Sequence, residues 1–400
     1  MSAPSVSDSA TANVIDDGLP PPPTTPWRRL SIAYFFALSG LAIANWTTRV
    51  PSLKARFGLD DGHIGLLLFC PVAGTLSLVL LANYLIARFG SRRMTRIGSY
   101  FIAASLFGIG WSQNIAMLAV SLLIFGAGTG IMNIAMNDQA ATLERRYRRS
   151  IMASFHGMFS LGMMVGGGGA GLLIYLGLAP QWHLSLTGAL LLIGSLFSKR
   201  LLIQPPPKLE RHHGGLFVYP RGRVWLVGAI ATATVFVEGS LTDWASVFLK
   251  ALDATESMAA LGVTSFAAAM TAGRLMGDHW IDNIGPKRAL QIGGVLSLLG
   301  LSTAVITGSL SLSLAGFALT GLGLSTLFPC LLSLARSNPL MTSSAAISSV
   351  AMMGYVALLA GPSVLGFLAH AVGVRWAFVA LILSSVVIVT MAAAASRQTS

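Results

Sequence analysis

The sequence predicts an all-α, polytopic membrane protein with twelve transmembrane helices in two pseudo-symmetric six-helix bundles. The first supporting observation is the composition, because 54% of the 400 residues are hydrophobic and only 10% are charged. Soluble domains carry about 25% charged residues. The second is a set of twelve apolar runs, each close to the roughly 20 residues that cross a bilayer core. The third is an internal repeat at an offset of 195 residues, which aligns Gly90 with Gly285.

The apolar runs define the predicted helices in chain order. They span residues 28–50, 63–87, 94–113, 115–142, 151–176, 182–203, 223–249, 256–281, 288–308, 311–335, 343–371 and 374–395. The proline-rich stretch 1–26 lacks the features of a signal peptide and is predicted to be a disordered cytoplasmic tail. Prolines, glycines and charges in 204–222 indicate a cytoplasmic linker. The predicted organisation is therefore a first bundle at 27–203 and a second at 223–396.

The basic residues predict the orientation in the membrane. With the N-terminus inside, 20 of the 26 Lys and Arg residues fall in inner segments, and one lies within a span. The outer segments hold only Arg49, Lys54, Arg56, Lys250 and Arg375. Because cytoplasmic loops are enriched in basic residues, both termini are predicted to be cytoplasmic. The net charge of +12 is spread over short loops and forms no basic domain, which argues against nucleic acid as a partner.

Signatures of enzymes and ATP-driven pumps are absent from the sequence. No Lys follows a Gly, so there is no P-loop. The HExxH and GxSxG motifs are missing too, and no metal, cofactor or enzymatic activity is predicted. Cys70 and Cys330 both lie in apolar runs, where each is predicted to be a small buried hydrophobe.

The loops after predicted helices 2 and 8 resemble the signature loop of the major facilitator superfamily, which reads roughly G-x-x-x-D-R-x-G-R-R. The second copy, "GDHWIDNIGPKR" at 277–288, resembles it well, whereas "NYLIARFGSRR" at 83–93 has Ala87 where the family has Asp. The resemblance implies the major facilitator fold, with parallel repeats related by an axis along the membrane normal. The gating residues that it implies are Arg88, Gly90, Arg92, Asp282, Gly285 and Arg288.

Four further stretches resemble a bacterial inner-membrane branch of that superfamily related to the fucose permease. They are "NWTTRVPSLKARFGL" (45–59), "MNIAMNDQAATLE" (132–144), "ASFHGMFSLG" (153–162) and "EGSLTDWASVFL" (238–249). This resemblance implies a location in the bacterial cytoplasmic membrane and gives sugar-like solutes a slight preference. The fucose permease has proton-linked carboxylates on helices 1 and 4, where this chain offers only amides at mid-span. A role for an acid in proton coupling would therefore shift to Glu238 on helix 7.

Two acids in "VFVEGSLTDWASVFL" (235–249) are the most unusual residues of the predicted spans. A charged group at the bilayer centre costs about 2.5–3.5 kcal/mol, so such groups normally face a cavity or a partner. Glu238, past the midplane of helix 7, is predicted to carry protons or bind substrate; the alternative is a structural pair with a donor on a neighbouring helix. Asp243, near the outer mouth, is predicted either to line the cavity or to pair with Arg49.

Helices 1 and 4 supply further candidate cavity residues. Asn45 and Arg49 share one face of helix 1 beside Trp46. Arg49 is predicted either to bind an anionic group of the substrate or to extend its charge to the outer interface. Asn133 and Asn137 lie one turn apart on helix 4, where their amides suit solute hydroxyls or hydrogen bonds between helices.

Three other features of the spans predict motion or coupling. His156 on helix 5 is predicted either to couple protons or to be a hydrogen-bonded packing residue. The run "GMMVGGGGAG" (162–171) predicts close helix packing, and Pro362 predicts a kink that acts as a hinge. Arg274 and Asp278, four residues apart on helix 8, are predicted to form an ion pair with a gating or structural role.

These observations favour a secondary transporter over two other classes of membrane protein. A small polar solute would bind between the two bundles near the midplane with proton coupling, and access would alternate as the bundles rock. A receptor on a transport fold needs a signalling segment that the short linker does not provide, and a membrane-embedded enzyme lacks its catalytic residues. The protein is expected to be a monomer in the lipid bilayer. Export of drugs or metabolites stays open as an alternative to import of a sugar-like solute.

Overall fold

The structure, a computed structural model, describes residues 25–147, 151–198, 202–203, 219–336, 338 and 340–397. Its helices are α1 Thr25–Thr47, α2 Val50–Phe57, α3 Asp61–Phe89, α4 Ser91–Trp111, α5 Ile115–Tyr147, α6 Met152–Tyr175, α7 Pro180–Ser198, α8 Val224–Lys250, α9 Glu256–Ile284, α10 Pro286–Thr307, α11 Leu310–Leu324, α12 Leu327–Arg336, α13 Ser343–Val372, α14 Val374–Ala377 and α15 Val379–Arg397. Each of the twelve predicted runs contains a helix, and the described residues contain no strand. The predicted tail up to residue 24 and linker residues 204–218 lie outside this part of the chain.

The described helices include enough membrane-length segments for a polytopic protein. Within the described residues, ten helices or pairs of consecutive helices are long and apolar enough to cross a membrane. The two other helices of the predicted set, α4 and α7, have 21 and 19 residues and begin with charged or polar turns. They pack against each other, and α4 also packs along α5. Ten crossings are therefore shown by length and composition, and the count of twelve stays a prediction.

Three crossings are broken helices, which the hydropathy pattern does not predict. The break between α14 and α15 is at Phe378, near the start of its crossing. Thr48 and Arg49 separate α1 from α2, which has a proline in its first turn. Ser325 and Thr326 separate α11 from α12. Proline has no N–H, so Pro329 cannot bond the carbonyl of Ser325 and the ladder is interrupted there.

The backbone repeats at the predicted offset of 195 residues. Both α3 and α9 have 29 residues and begin and end at equivalent positions. Their N-termini are capped by the side chains of Asp60 and Thr255, which accept from the backbone N–H three residues later. The turns that follow are made by Gly90 and Gly285, both with a φ of 79°, a conformation that favours glycine. The chain thus forms two like halves, α1–α7 and α8–α15.

The two halves meet along two long helix pairs, α6 with α9 and α3 with α13, while α1 and α2 also touch α8. We call the end of the helix array that carries α2 and the N-termini of α3 and α9 the α2 end. The opposite end, which carries the two glycine turns, is the Gly90 end.

Polar contacts between the halves occur at the α2 end. Ser363 Oγ in the second half donates to the carbonyl of Gly65 in the first, at 3.0 Å. His370 Nδ1 of the second half lies 3.7 Å from the carboxylate of Asp60 in the first. The backbone and side-chain hydrogen bonds from His63, with a smaller contribution from the charge of His370, lower the pKa of Asp60. The two halves are therefore in direct contact at this end.

Glycines allow two helices of the first half to approach closely. A Cβ added at Gly162 of α6 would lie 2.7 Å from the carbonyl carbon of Ala37 in α1, and one added at Gly40 of α1 would lie 2.9 Å from the amide nitrogen of Met163. A Cβ at Gly166 would lie 2.8 Å from the carbonyl oxygen of Leu41 in α1. The predicted close packing of the glycine run is thus confirmed where α6 crosses α1.

Replacing Gly162 by Ala is expected to lower the free energy of unfolding by about 1–3 kcal/mol, the usual cost of overpacking, because the obstructing atoms are backbone and cannot rotate away. The control is Gly169→Ala in the same helix, where an added Cβ has no atom within 4 Å. Thermal midpoints of the two purified variants in one detergent provide the comparison. Equal midpoints would contradict the packing argument.

Candidate functional site

An acid–base pair lies in the interior of the helix array. Glu238 Oε1 of α8 accepts a hydrogen bond from Arg274 Nη2 of α9 at 3.1 Å, and their side chains are 27% and 17% exposed. Arg274 Nη1 also donates to Ser160 Oγ of α6. The guanidinium therefore joins two helices of the second half to one helix of the first.

The pair lies near the middle of the membrane-length helices. Glu238 is the fifteenth of the 27 residues of α8, about 21 Å from one end and about 18 Å from the other at 1.5 Å per residue. Sequence spacing predicts that Arg274 pairs with Asp278, but the structure gives Arg274 a partner on another helix. The side chain of Asp278 is outside the described part of the chain. The pairing of Glu238 with a donor on a neighbouring helix is the alternative that the sequence leaves open.

His156 is exposed on α6 one turn before Ser160, whose hydroxyl donates to the His156 carbonyl at 3.3 Å. Its ring packs edge-on against Phe36 of α1, with centroids 5.4 Å apart. At about 100° per residue, His156 lies about 180° around the helix from the exposed Val165 and close to opposite Leu172. The histidine is thus on the side of α6 that faces away from the exposed apolar surface.

Asn133 and Asn137 form a similar polar patch on α5. Asn137 Nδ2 donates to Asn133 Oδ1 at 3.0 Å and to the Asn133 carbonyl at 2.8 Å. Asn133 is exposed and Asn137 half-buried. At about 100° per residue, helix geometry puts Asn133 and Asn137 about 160° and 200° around α5 from the exposed Met117. The two amides therefore lie on the side of α5 that is opposite Met117.

A second polar group, at the α2 end, is buried inside the first half. Arg49 Nε donates to His183 Nδ1 at 2.9 Å, and Arg49 Nη2 donates to the carbonyl of Leu178. His183 Nε2 lies 2.6 Å from Asn45 Oδ1, which also accepts from Thr187 Oγ1 at 3.2 Å. Because an arginine can only donate, His183 Nδ1 carries no proton and the ring is a neutral Nε2–H tautomer that donates to Asn45.

This buried network changes the position expected for two candidate cavity residues. Asn45 and Arg49 are only 4% and 2% exposed and point to α7. The sequence predicts both as cavity residues, with an extended position at the outer interface as the alternative for Arg49. Trp46 is buried as well and packs edge-on against Phe125 of α5. Sequence reasoning does not identify His183, because a single histidine at the start of a predicted helix is a weak signal.

Arg49 also approaches the second half. Its Nη1 lies 4.0 Å from Glu256 Oε2 of α9, and Ser52 Oγ of α2 donates to the same oxygen at 2.6 Å. These groups border an open cavity of about 610 Å³ at the α2 end. Its lining residues are Arg49, Ser52, Ala55, Arg56, Pro180, Gln181 and Glu256.

Asp243 is half-buried on α8 and makes no hydrogen bond or ion pair within the described part of the structure. The alternative pairing of Asp243 with Arg49 does not occur, since Arg49 is directed to His183, Leu178 and Glu256.

The residues that the signature loops imply for gating lie at the Gly90 end. Arg88 is exposed, and its Nη1 donates to Tyr84 Oη at 2.7 Å. Asp282 and Arg288 are exposed around the turn at Gly285. Arg92, at the start of α4, also makes contacts.

Two like halves of membrane-length helices, with an ion pair near mid-depth, are the arrangement of many polytopic membrane transport proteins. A family model described as Major Facilitator Superfamily matches residues 30–253 and 224–399. The chain belongs to the major facilitator superfamily, and membrane transport is the activity of that class.

Curated relatives and solved structures agree with this family. An uncharacterised MFS-type transporter of Yersinia pestis is 36% identical over 362 residues, which cover 90% of this chain and 94% of that protein. Membrane protein MosC of Rhizobium meliloti is 31% identical, with 91% and 90% covered. A bacterial homologue of the human lysosomal transporter Spinster, solved inward-facing and unoccupied, superposes with a TM-score of 0.72 at 17% identity, covering 94% and 97%. The nucleoside transporter NupG gives 0.73 at 14%, covering 92% and 98%. At such identities the two structures share the fold alone.

Proposed function

We propose that this protein is a secondary transporter of the bacterial cytoplasmic membrane that moves a small polar solute by alternating access, with coupling to protons. The first bundle, 27–203, and the second, 223–396, would rock about a site between them, and both termini would be cytoplasmic. Membership of the major facilitator superfamily supports the transport class.

The observation that carries this proposal is the Glu238–Arg274 pair at mid-depth. Two charges in the interior of a membrane protein are costly and are retained where they act on ions or solutes. At the offset of 195 residues, the equivalents of Glu238 and Arg274 are Ile43 and Val79. The fold therefore forms the same helices in its other half without these charges, which favours a functional role over a structural one.

The arrangement of the halves supports alternating access. The halves touch at the α2 end, where the outer segments are predicted, while the amides of Asn133 and Asn137 remain accessible. A solute bound by these amides would enter and leave through the Gly90 end in this conformation. Opening the α2 end would require the contacts of Ser363 with Gly65 and of Ser52 with Glu256 to separate.

Protonation is proposed to act at Glu238, with His156 as the second titratable group on the path. The resemblance to the fucose permease favours a sugar-like solute, although this chain lacks mid-span acids on predicted helices 1 and 4. Movement of solute, rather than detection of it, separates this proposal from a receptor on the same fold.

The test is counterflow in proteoliposomes that contain the purified protein. Solutes that stabilise the protein in a thermal-shift screen of sugars, amino acids, nucleosides and organic acids are loaded inside, and labelled solute is added outside. A transporter is expected to accumulate label transiently, well above protein-free liposomes, because the outward gradient of unlabelled solute drives the exchange and no proton gradient is needed. Binding without any exchange would overturn the transport proposal and favour a receptor.

A further inference from the structure

We propose that the substrate carries a carboxylate, and that this carboxylate takes the place of Glu238 on the guanidinium of Arg274 when Glu238 is protonated. The inference rests on the proposed function and specifies its substrate class. A hydroxylated monocarboxylic acid fits best, because its hydroxyls suit the amides of Asn133 and Asn137.

The geometry of Arg274 leaves room for a second carboxylate. Within the described residues, Glu238 makes one hydrogen bond with the guanidinium, through Nη2, and Ser160 takes another through Nη1. A guanidinium has five N–H donors in a planar fork that matches a carboxylate with two parallel hydrogen bonds. Both side chains of the pair are partly exposed, so a solute can reach them. Ser160, a neutral hydroxyl, does not compensate the charge.

Charge balance couples the proton to the anion. With Glu238 ionised, the pair is neutral, and a second anion would meet the repulsion of the first. With Glu238 protonated, Arg274 lacks a counter-ion among the described residues, in an interior where an uncompensated charge is costly, and an anion restores neutrality. Proton and monoanion therefore bind together and leave together. Transport of both is electroneutral.

Among the described side chains, no titratable group around the pair supplies an alternative counter-ion; the side chain of Asp278, one turn from Arg274 on α9, lies outside them. On the helices that pack against α8 and α9 within the membrane they are His156 on α6, Tyr34 on α1, Tyr355 on α13 and Cys330 on α12, with Asp243 on α8 itself. None of these makes a described ion pair with Glu238 or Arg274. Arg274 also contacts the first half through Ser160, so an exchange of its anionic partner acts on a contact between the halves.

The test uses matched pairs of solutes that differ in the carboxylate. Glucuronate and glucose, galacturonate and galactose, and gluconate and sorbitol are added to purified full-length protein at pH 5.5 and 7.5, and thermal midpoints are recorded. At least one acid is expected to stabilise the protein where its neutral counterpart does not. Its affinity is expected to tighten by up to about tenfold per unit fall in pH, as linkage to one proton requires.

Substitutions of Arg274 and Glu238 test whether these two residues bind the acid. Arg274→Gln is expected to lose acid binding by more than about tenfold, whereas Glu238→Gln is expected to bind the acid equally at both pH values. Lys250→Gln and Asp253→Asn remove one charge of each sign at the end of α8 and in the loop that follows, and they serve as matched controls. If no acid stabilises the protein, or Arg274→Gln binds acids normally, the inference is wrong.

The outcomes separate this inference from the proposed function. Suppose that a neutral solute is exchanged in proteoliposomes and that Arg274→Gln exchanges it normally. The protein is then a transporter as proposed, but the inference of a carboxylate substrate is wrong. If an acid binds through Arg274 but is not exchanged, the anion site is supported and the proposed transport function is wrong. For an exchanged acid, uptake driven by a pH gradient is expected to be unchanged by a potassium diffusion potential, and strong dependence on the potential would contradict the paired movement of charges.

Discussion

Glu238→Gln is expected to abolish solute accumulation driven by a pH gradient while leaving counterflow exchange measurable. The amide keeps the size of the side chain and an oxygen that accepts from Arg274 Nη2, now 3.1 Å from the carboxylate. It cannot release or take up a proton, so the empty carrier loses the state in which the pair is neutral. Exchange needs only the loaded forms, whereas net transport needs the return of the empty one. Proton-driven uptake should therefore fall to the level of protein-free liposomes.

Two controls make this result interpretable. Asp253→Asn removes an exposed carboxylate from the loop after α8, where Asn also tolerates the positive φ, and it should transport normally. His156→Gln removes the other titratable group proposed for coupling. If Glu238→Gln retains pH-driven accumulation and His156→Gln loses it, the proton binds at His156 on α6 and not at Glu238 on α8.

The sequence predicts the fold well because the relevant signals are local. Runs of apolar residues set the helices, and glycine is required at the turns of Gly90 and Gly285 because both have a positive φ. The repeat locates the second turn once the first is recognised. Hydropathy does not predict the helix breaks at Thr48–Arg49 and Ser325–Thr326. The sequence stays apolar enough on both sides of each break, and only the backbone hydrogen bonds of the helix are interrupted there.

The site is predicted less completely because its contacts join distant parts of the chain. The sequence identifies Glu238 as unusual, but Arg274 is 36 residues away, and the i+4 rule points to Asp278 instead. The repeat cannot correct this, because the equivalent positions hold Ile43 and Val79. Arg49 and Asn45 are recognised as polar residues within a span, yet their partner His183 lies on another helix, 134 residues beyond Arg49.

The two arginines within the spans, Arg274 and Arg49, differ in their exposure and in their partners. Arg274 is partly exposed, and its partner is the carboxylate of Glu238. Arg49 is nearly fully buried, and its nearest partners are a neutral ring and a backbone carbonyl, with the carboxylate of Glu256 farther away at 4.0 Å. A group that exchanges ligands needs access and a titratable counter-ion, which Arg274 has. Arg49 is better suited to fix the junction of α1 and α2 against α7.

His183→Ala is accordingly expected to cost about 3 kcal/mol of stability, the lower part of the range for removing one partner of a buried charge. Arg49 would lose the acceptor for its Nε, and Asn45 would lose a donor at 2.6 Å. His183→Gln should recover part of the loss, because its amide oxygen can accept from Arg49 and its NH₂ can donate to Asn45. Thermal midpoints in detergent measure both variants, and His63→Ala, an exposed histidine on α3, is the control.

A double variant tests whether the buried charge itself is responsible for the loss. Combining His183→Leu with Arg49→Met removes the charge together with its partner, and it should be more stable than His183→Ala, because apolar side chains of similar size often replace buried ionic groups at little cost. Glu256 would be left without Arg49, but its side chain is 37% exposed and still accepts from Ser52. If the double variant is less stable than His183→Ala, the cost arises from lost packing between α1 and α7 and not from the uncompensated guanidinium.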